Sequence, residues 1–187
     1  MKALVLGAGI AGITTAYELN RDGYDVTVID REDLPASFTS YGNAGLFAPG
    51  HSYSWSSPAA PGILLRSLWR DDQALRFRPT IDPAFWRWMW KFWRECSPER
   101  STASTTRKAK LCNYSLGVFH ETVMRTKVKY DGRDGGLLYL YRTPANFDAA
   151  IKKSRILIDA GIEIKTLDKN GIIAADPALT PVTDELA

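Results

Sequence analysis

The sequence predicts a mixed α/β protein whose first thirty or so residues form a strand–turn–helix–strand unit. Three observations carry that expectation. A short apolar run at 3–6 suits a buried parallel strand. It leads straight into Gly7, Gly9 and Gly12, the spacing G-x-G-x-x-G. A second apolar set, Val26, Val28 and Ile29, ends on the acid Asp30.

Each element has a physical reason. Residues 13–21 read as a helix with Ile13, Ala16, Tyr17 and Leu19 facing inward, and Gly23 stands where that helix stops. Gly7 permits a tight turn out of the first strand. Gly9 leaves room for a pyrophosphate to approach the backbone, and Gly12 lets the helix pack closely on the strand. The helix start offers free N–H groups and the positive end of a dipole. Asp30 stands where a carboxylate accepts hydrogen bonds from the hydroxyls of an adenosine ribose. A strand before, a helix after and an acid about twenty residues on complete the Rossmann dinucleotide fingerprint. The candidate cofactor-binding residues here are Gly7, Ala8, Gly9, Ile10, Ala11 and Gly12, with Asp30 and Arg31. Asp30 disfavours NADP, although Arg31 alone argues the other way; FAD and NAD both fit.

Composition sets bounds. The chain has 187 residues, enough for one large domain or parts of two. Its 45% apolar and 24% charged content is that of an ordinary globular protein. A net charge of +3 is too small to argue for nucleic acid, and no nucleic-acid partner is expected. Cys96 and Cys112 have no metal-ligand spacing, so no metal site is expected and both read as reduced, buried thiols. Lys2 and the apolar run after it resemble a signal peptide, but Glu18 and the glycines fit the nucleotide unit better. No apolar run is long enough to span a bilayer, so the expected location is the cytoplasm.

After Asp30 the chain is polar and broken by Pro35. Thr39-Ser40-Tyr41-Gly42-Asn43-Ala44-Gly45 and then Ala48-Pro49-Gly50 are rich in small residues. The plain reading is a loop. The functional one is a backbone cradle under a second part of the cofactor. Residues 56–62 read as loop, 63–69 as a helical turn or two, and 70–79 as polar. Asp82 caps a helix over 84–96 with Pro83 at its first position. Trp86, Trp90 and Trp93 share one face, Phe85, Trp88, Met89 and Phe92 fill most of the rest, and Arg87, Lys91 and Arg94 form a narrow cationic stripe. Such a helix is either packed between parts of the fold or seated in a membrane interface. Residues 97–106 read as a loop, 107–128 as a helix carrying His120, and 137–141 as a strand with Tyr139 and Tyr141 on one side. Thr143 caps a helix running to Ala160, residues 162–165 alternate like an exposed strand, and 168–187 read as a polar, turn-rich tail.

The glycine motif, TSYGNAG, the AP-G run, the aromatic helix, YDGRDGGLLYLYRT and ADPAL together resemble the FAD-dependent D-amino acid dehydrogenase small-subunit family of flavin amine and amino-acid oxidoreductases. The resemblance covers essentially the whole chain, turns the cofactor choice to FAD and implies Ser40, Asn43, Ala44 and Gly45 as further cofactor contacts. It implies oxidation of a D-amino acid or related amine at the Cα–N bond, giving a 2-oxo acid and ammonia. It also implies a respiratory-chain quinone as electron acceptor and peripheral contact with the inner membrane. The family's substrate pocket is built on a mainly antiparallel sheet, which the tyrosine row could line. His51 is a departure, since the family carries an aromatic residue there. No catalytic acid or base is named by the resemblance in this part of the chain.

Nothing after Asp30 reads as a third parallel strand, whereas a Rossmann-type sheet needs several. The resemblance implies a family chain more than twice as long, its later half supplying further strands and the substrate-carboxylate grip. The expected architecture is therefore a Rossmann-type βαβ FAD-binding unit with an incomplete sheet and its flavin loop at 1–50. Part of an α+β substrate or cap domain follows at 51–187. The expected function is that of the N-terminal half of such an enzyme. The alternative is an inactive fragment, or a partner subunit that needs a second polypeptide to complete the flavin site.

Overall fold

The computed structural model describes residues 1–70 and 78–186. It divides into two units, Met1–Leu46 and Phe47–Ala187.

The first unit contains β1 (Lys2–Leu6), α1 (Ile10–Arg21) and β2 (Asp25–Ile29). The strands pair in parallel, Lys2 beside Asp25 through to Leu6 beside Ile29. Side chains alternate across a strand, so the sheet has two distinct faces. Ala3, Val5, Val26 and Val28 are half-buried on the side of α1, whose Ala16 is buried. Leu4, Leu6 and Ile29 lie on the opposite face and remain 60%, 76% and 51% exposed. Residues 31–46 follow as successive turns.

The second unit is helical. A 3-10 turn at Pro49–His51 leads to α2 (Ala60–Arg66), α3 (Pro83–Glu95), α4 (Pro98–Thr126), α5 (Pro144–Asp159) and α6 (Lys169–Ala175), and a 3-10 helix at Pro177–Glu185 closes it. Its small core is Ala109, Leu157 and Ile162, with Tyr53, Ile156 and Ala160 packed on it. Ser101, Thr105 and Ala109 recur every four residues on α4 and are all buried. These small side chains let the segment after the 3-10 turn lie close, and the Ser54 N–H donates to Thr105 Oγ1 at 3.0 Å. Lys108 Nζ donates to the Tyr53 carbonyl at 3.1 Å.

Several sequence expectations change here. Residues 98–106 are helix rather than a loop running into one: Ser97 caps α4 by accepting from the Arg100 N–H at 3.3 Å, and Pro98 takes the first helical position. The Ser/Thr-rich composition reads as loop, but those hydroxyl residues supply the small buried face of α4. Helix α2 starts at Ala60, inside the stretch read as loop. The expected strands at 137–141 and 162–165 form no ladder among the described residues, because a strand needs a hydrogen-bonding neighbour and none is in place. The tail from 168 is ordered as α6 and a 3-10 helix, started by Asp168 accepting from Gly171 N–H and Asp176 accepting from Ala178 N–H. The polar stretch read at 70–79 lies for the most part outside the described residues, as does residue 187. Among the described residues no helix is long and apolar enough to cross a membrane.

The cap assignment is testable. Ser97→Ala is expected to destabilise the second unit by about 1 kcal/mol and to raise amide exchange in the first turns of α4. Urea unfolding with hydrogen exchange measures both.

Candidate functional site

The site grows out of the end of β1. Gly7 has φ +101°, a left-handed conformation that side chains resist. Its N–H donates to the Ile29 carbonyl at 2.7 Å, fixing the turn beside the end of β2. A Cβ on Gly12 would overlap the Gly7 carbonyl and stand 3.5 Å from Val5 Cγ1. Glycine at 12 is therefore what allows α1 to start against the turn. A Cβ on Gly9 would meet Ser40 Oγ at 3.2 Å. The space over Gly9 is thus a cradle that a side chain would crowd.

Asp30 locks the turn to the second strand. The Ala8 N–H donates to Asp30 Oδ2, and the Glu32 N–H donates to Oδ1 at 2.9 Å. These bonds, that from Ala8 foremost, hold the Asp30 carboxyl below its ordinary pKa. A carboxylate has about four lone-pair sites, so each oxygen retains capacity for a further donor. The side chain is exposed to the recess and to solvent.

The loop after Asp30 is tied back to the turn. The Ala36 N–H donates to the Ala8 carbonyl at 3.0 Å. Ser40 Oγ accepts from the Ile10 N–H at 2.9 Å and so caps α1, whose own Gly9 has no side chain to do it. Because that bond uses an acceptor site, the Ser40 hydroxyl proton remains able to donate elsewhere. The first amides of a helix lack intrahelical partners by geometry, which leaves Ala11 and Gly12 presenting N–H groups at the same end.

A recess of about 230 Å³ results, lined by Gly9, Asp30, Arg31, Ser37, Phe38 and Ser40 among others. Arg31 is held over the Phe38 ring, 5.0 Å from its centroid, and its Nε lies 3.3 Å from Glu32 Oε1. The guanidinium is therefore engaged by an aromatic face and a carboxylate on its own loop.

Of the candidate residues, Gly9, Asp30, Arg31 and Ser40 meet in this recess, with Gly7, Ala8, Ile10, Ala11 and Gly12 forming the turn and helix start beside it. Asn43, Ala44 and Gly45 are exposed and do not line it. Asn43 instead shapes its own turn: Nδ2 donates to the Ser40 carbonyl at 2.8 Å, and Oδ1 accepts from the Gly45 N–H at 2.6 Å. Sequence reasoning missed Phe38. The available signal was a single aromatic in a polar loop eight residues after the acid. The donor set suits an adenine dinucleotide: a carboxylate with spare lone pairs, a helix start, a hydroxyl donor and a side-chain-free cradle. The recess falls below the roughly 300 Å³ at which small-molecule pockets begin. It accommodates part of a dinucleotide.

In the second unit, His51 Nδ1 and Tyr139 Oη lie 2.8 Å apart with near-parallel rings. Burial pushes the phenols of Tyr53 and Tyr139 above their ordinary pKa, with neighbouring tyrosines adding to the shift. Cys96 is buried, and burial raises its thiol pKa as well; Cys112 is half-buried.

Comparison with known proteins accords with this geometry. The family described as FAD dependent oxidoreductase matches residues 2–186. Relatives named D-amino acid dehydrogenase include those of Sinorhizobium medicae (40% identical), Rhizobium rhizogenes (38%) and Agrobacterium fabrum (36%). Each alignment spans 186 residues and 100% of this chain, but only 45%, 45% and 44% of the respective relative. The chain thus spans less than half the length of these curated relatives. No solved structure matches. A match from residue 2 to residue 186, on a chain whose N-terminal turn has the fingerprint geometry, leaves one assignment: the chain belongs to the FAD dependent oxidoreductase family.

Proposed function

We propose that this chain is the FAD-binding N-terminal portion of an enzyme that oxidises D-amino acids at the Cα–N bond to 2-oxo acids and ammonia. The observation that carries the proposal is the Asp30–Ala8 bond across a glycine turn whose helix start is open to phosphate. Asp30 holds the adenosine ribose through its spare lone pairs. The amides of Ala11 and Gly12 and the Ser40 hydroxyl would receive the pyrophosphate. Asn43, Ala44 and Gly45 keep the 39–45 turn in shape beneath the far part of the cofactor. Arg31, engaged by Phe38 and Glu32, is not extended toward a ribose phosphate, which favours the unphosphorylated ribose of FAD. When bound, the flavin supplies the two-electron acceptor; the chain supplies binding and alignment.

The division of labour follows the sequence: residues 1–50 hold the cofactor and 51–187 form part of the substrate side. Tyr139 and Tyr141 would form part of a pocket wall there, a reading supported by the Tyr139 hydroxyl lying 2.8 Å from His51 Nδ1. The electron acceptor assigned is a respiratory-chain quinone. Contact with the membrane surface is assigned to α3. Its Trp86, Trp88, Trp90 and Trp93 are 48–66% exposed, and Arg94 stacks on Trp90 with its guanidinium 4.8 Å from the ring centroid, a pairing suited to a headgroup layer. The second reading is a subunit that is inactive until another polypeptide completes the flavin site. The exposed sheet face favours it specifically.

Titration with FAD, followed by flavin fluorescence, tests the proposal. Saturable one-to-one binding is expected, and Asp30→Ala should weaken it about tenfold or more, the scale of a hydrogen bond to a charged group. Binding that is indifferent to Asp30 refutes the assignment. The pH dependence has a definite sign. The Asp30 carboxyl is depressed in the folded protein, so its contribution is fully present above the unfolded carboxylate pKa and is lost as pH falls through the lower folded value. FAD affinity should stay flat from about pH 8 to about pH 5 and decline only below the ordinary carboxylate range.

A further inference from the structure

A second concavity lies wholly within the helical unit, between the segment after the first 3-10 turn and one face of α3. Its volume is about 330 Å³, which reaches the roughly 300 Å³ at which small-molecule pockets begin. Ser54, Trp55 and Ser56 form one side; Trp88, Lys91, Phe92 and Glu95 form the other. Residues three, four and seven apart share one helix face, so these four side chains line up along α3. Trp86, Trp90 and Trp93 fall on the opposite side of the helix by its 3.6-residue period. Both walls are anchored to α4. The Ser54 N–H donates to Thr105 Oγ1 at 3.0 Å, and Arg100 Nη1 donates to Glu95 Oε1. The groove is thus formed before any ligand enters, which lowers the cost of binding one.

The lining is aromatic with few polar groups. The Trp88 and Phe92 rings stack with centroids 5.5 Å apart and 20° between their planes, giving a flat floor. Trp55 stands 72% exposed on the facing segment. Ser54 Oγ and Ser56 Oγ lie 2.8 Å apart. That bond uses one hydroxyl proton and leaves the other able to donate. Lys91 brings an ammonium without a hydrogen-bond or ion-pair partner among the described residues. Glu95 is the one acid among the lining residues, and Arg100 already meets its charge.

We infer that this groove is a binding site for an aromatic carboxylate. The ring lies on the Trp88–Phe92 floor beside Trp55, and the carboxylate takes the Lys91 ammonium and the spare serine hydroxyl. Charge selects an anion over an amine, because the free ion in the lining is a cation while its anion is already paired. The stacked floor selects a ring over a short acid, since aromatic pairs gain beyond simple area burial. The inference does not depend on the flavin assignment.

The test adds phenylacetate to the full chain and follows its six tryptophan indole N–H signals by NMR. The signals of Trp55 and Trp88 should shift and saturate together, while those of Trp86, Trp90 and Trp93 stay in place. Acetate lacks the ring and 2-phenylethylamine reverses the charge, and each should bind about fivefold more weakly or worse, the scale of one ring contact or one charge-assisted bond. Lys91→Gln should weaken phenylacetate about threefold to tenfold, because an exposed ammonium is partly screened. Lys91→Arg should restore binding. Lys91 is exposed, so both variants should keep the circular dichroism of the parent. Binding of 2-phenylethylamine as tight as that of phenylacetate overturns the inference. So does a Lys91→Gln chain that binds like the parent, equal shifts at every tryptophan, or no saturable shift at Trp55 and Trp88.

Discussion

The bond from the Ala8 amide to the Asp30 carboxylate is the constraint on which the first unit turns. It joins the exit of one strand to the end of the other and fixes where the next loop begins. The turn can be that tight only because Gly7 adopts a left-handed conformation and Gly12 lets the helix start against it. With those in place the loop folds back through Ala36, and Ser40 reaches the start of α1. Chemistry and folding share the same atoms here. Under the proposed function, the carboxylate that orders the turn is also the group offered to a sugar, and the helix amides it frames are those offered to phosphate.

The second unit is organised on a different principle. Small side chains at 101, 105 and 109 allow a non-helical segment to lie flat on α4, and Tyr53 completes a core of few residues. The apolar material of this unit is largely exposed: four tryptophans of α3 and the row from Leu137 to Leu140.

Local rules made the first unit legible from sequence. Strand, glycine spacing, helix and terminal acid each have short-range causes, and Gly9 and Asp30 meet in the recess because their placement depends on close neighbours. The sequence misled where a long-range partner decides the outcome. Residues 137–141 alternate as a strand does, but alternation supplies no ladder partner. Residues 97–106 look like a loop because serine and threonine compete with helix backbone, yet Ser97 and Pro98 are helix-start signals and the hydroxyls face inward. The resemblance groups Asn43 with the cofactor contacts, and its amide also organises its own turn. Phe38 was invisible to motif reasoning since its contact with Arg31 depends on the path of the loop.

An adenine dinucleotide over the turn from Gly7 to Gly12, with its ribose on Asp30, would perturb the amides of that turn. Backbone amide NMR during addition of FAD addresses it most directly. Binding at this turn gives the largest shifts at Ala8, Ile10, Ala11, Gly12 and Ser40, saturating together. Shifts confined to residues beyond Leu46, or a turn that stays silent while FAD binds, would contradict it.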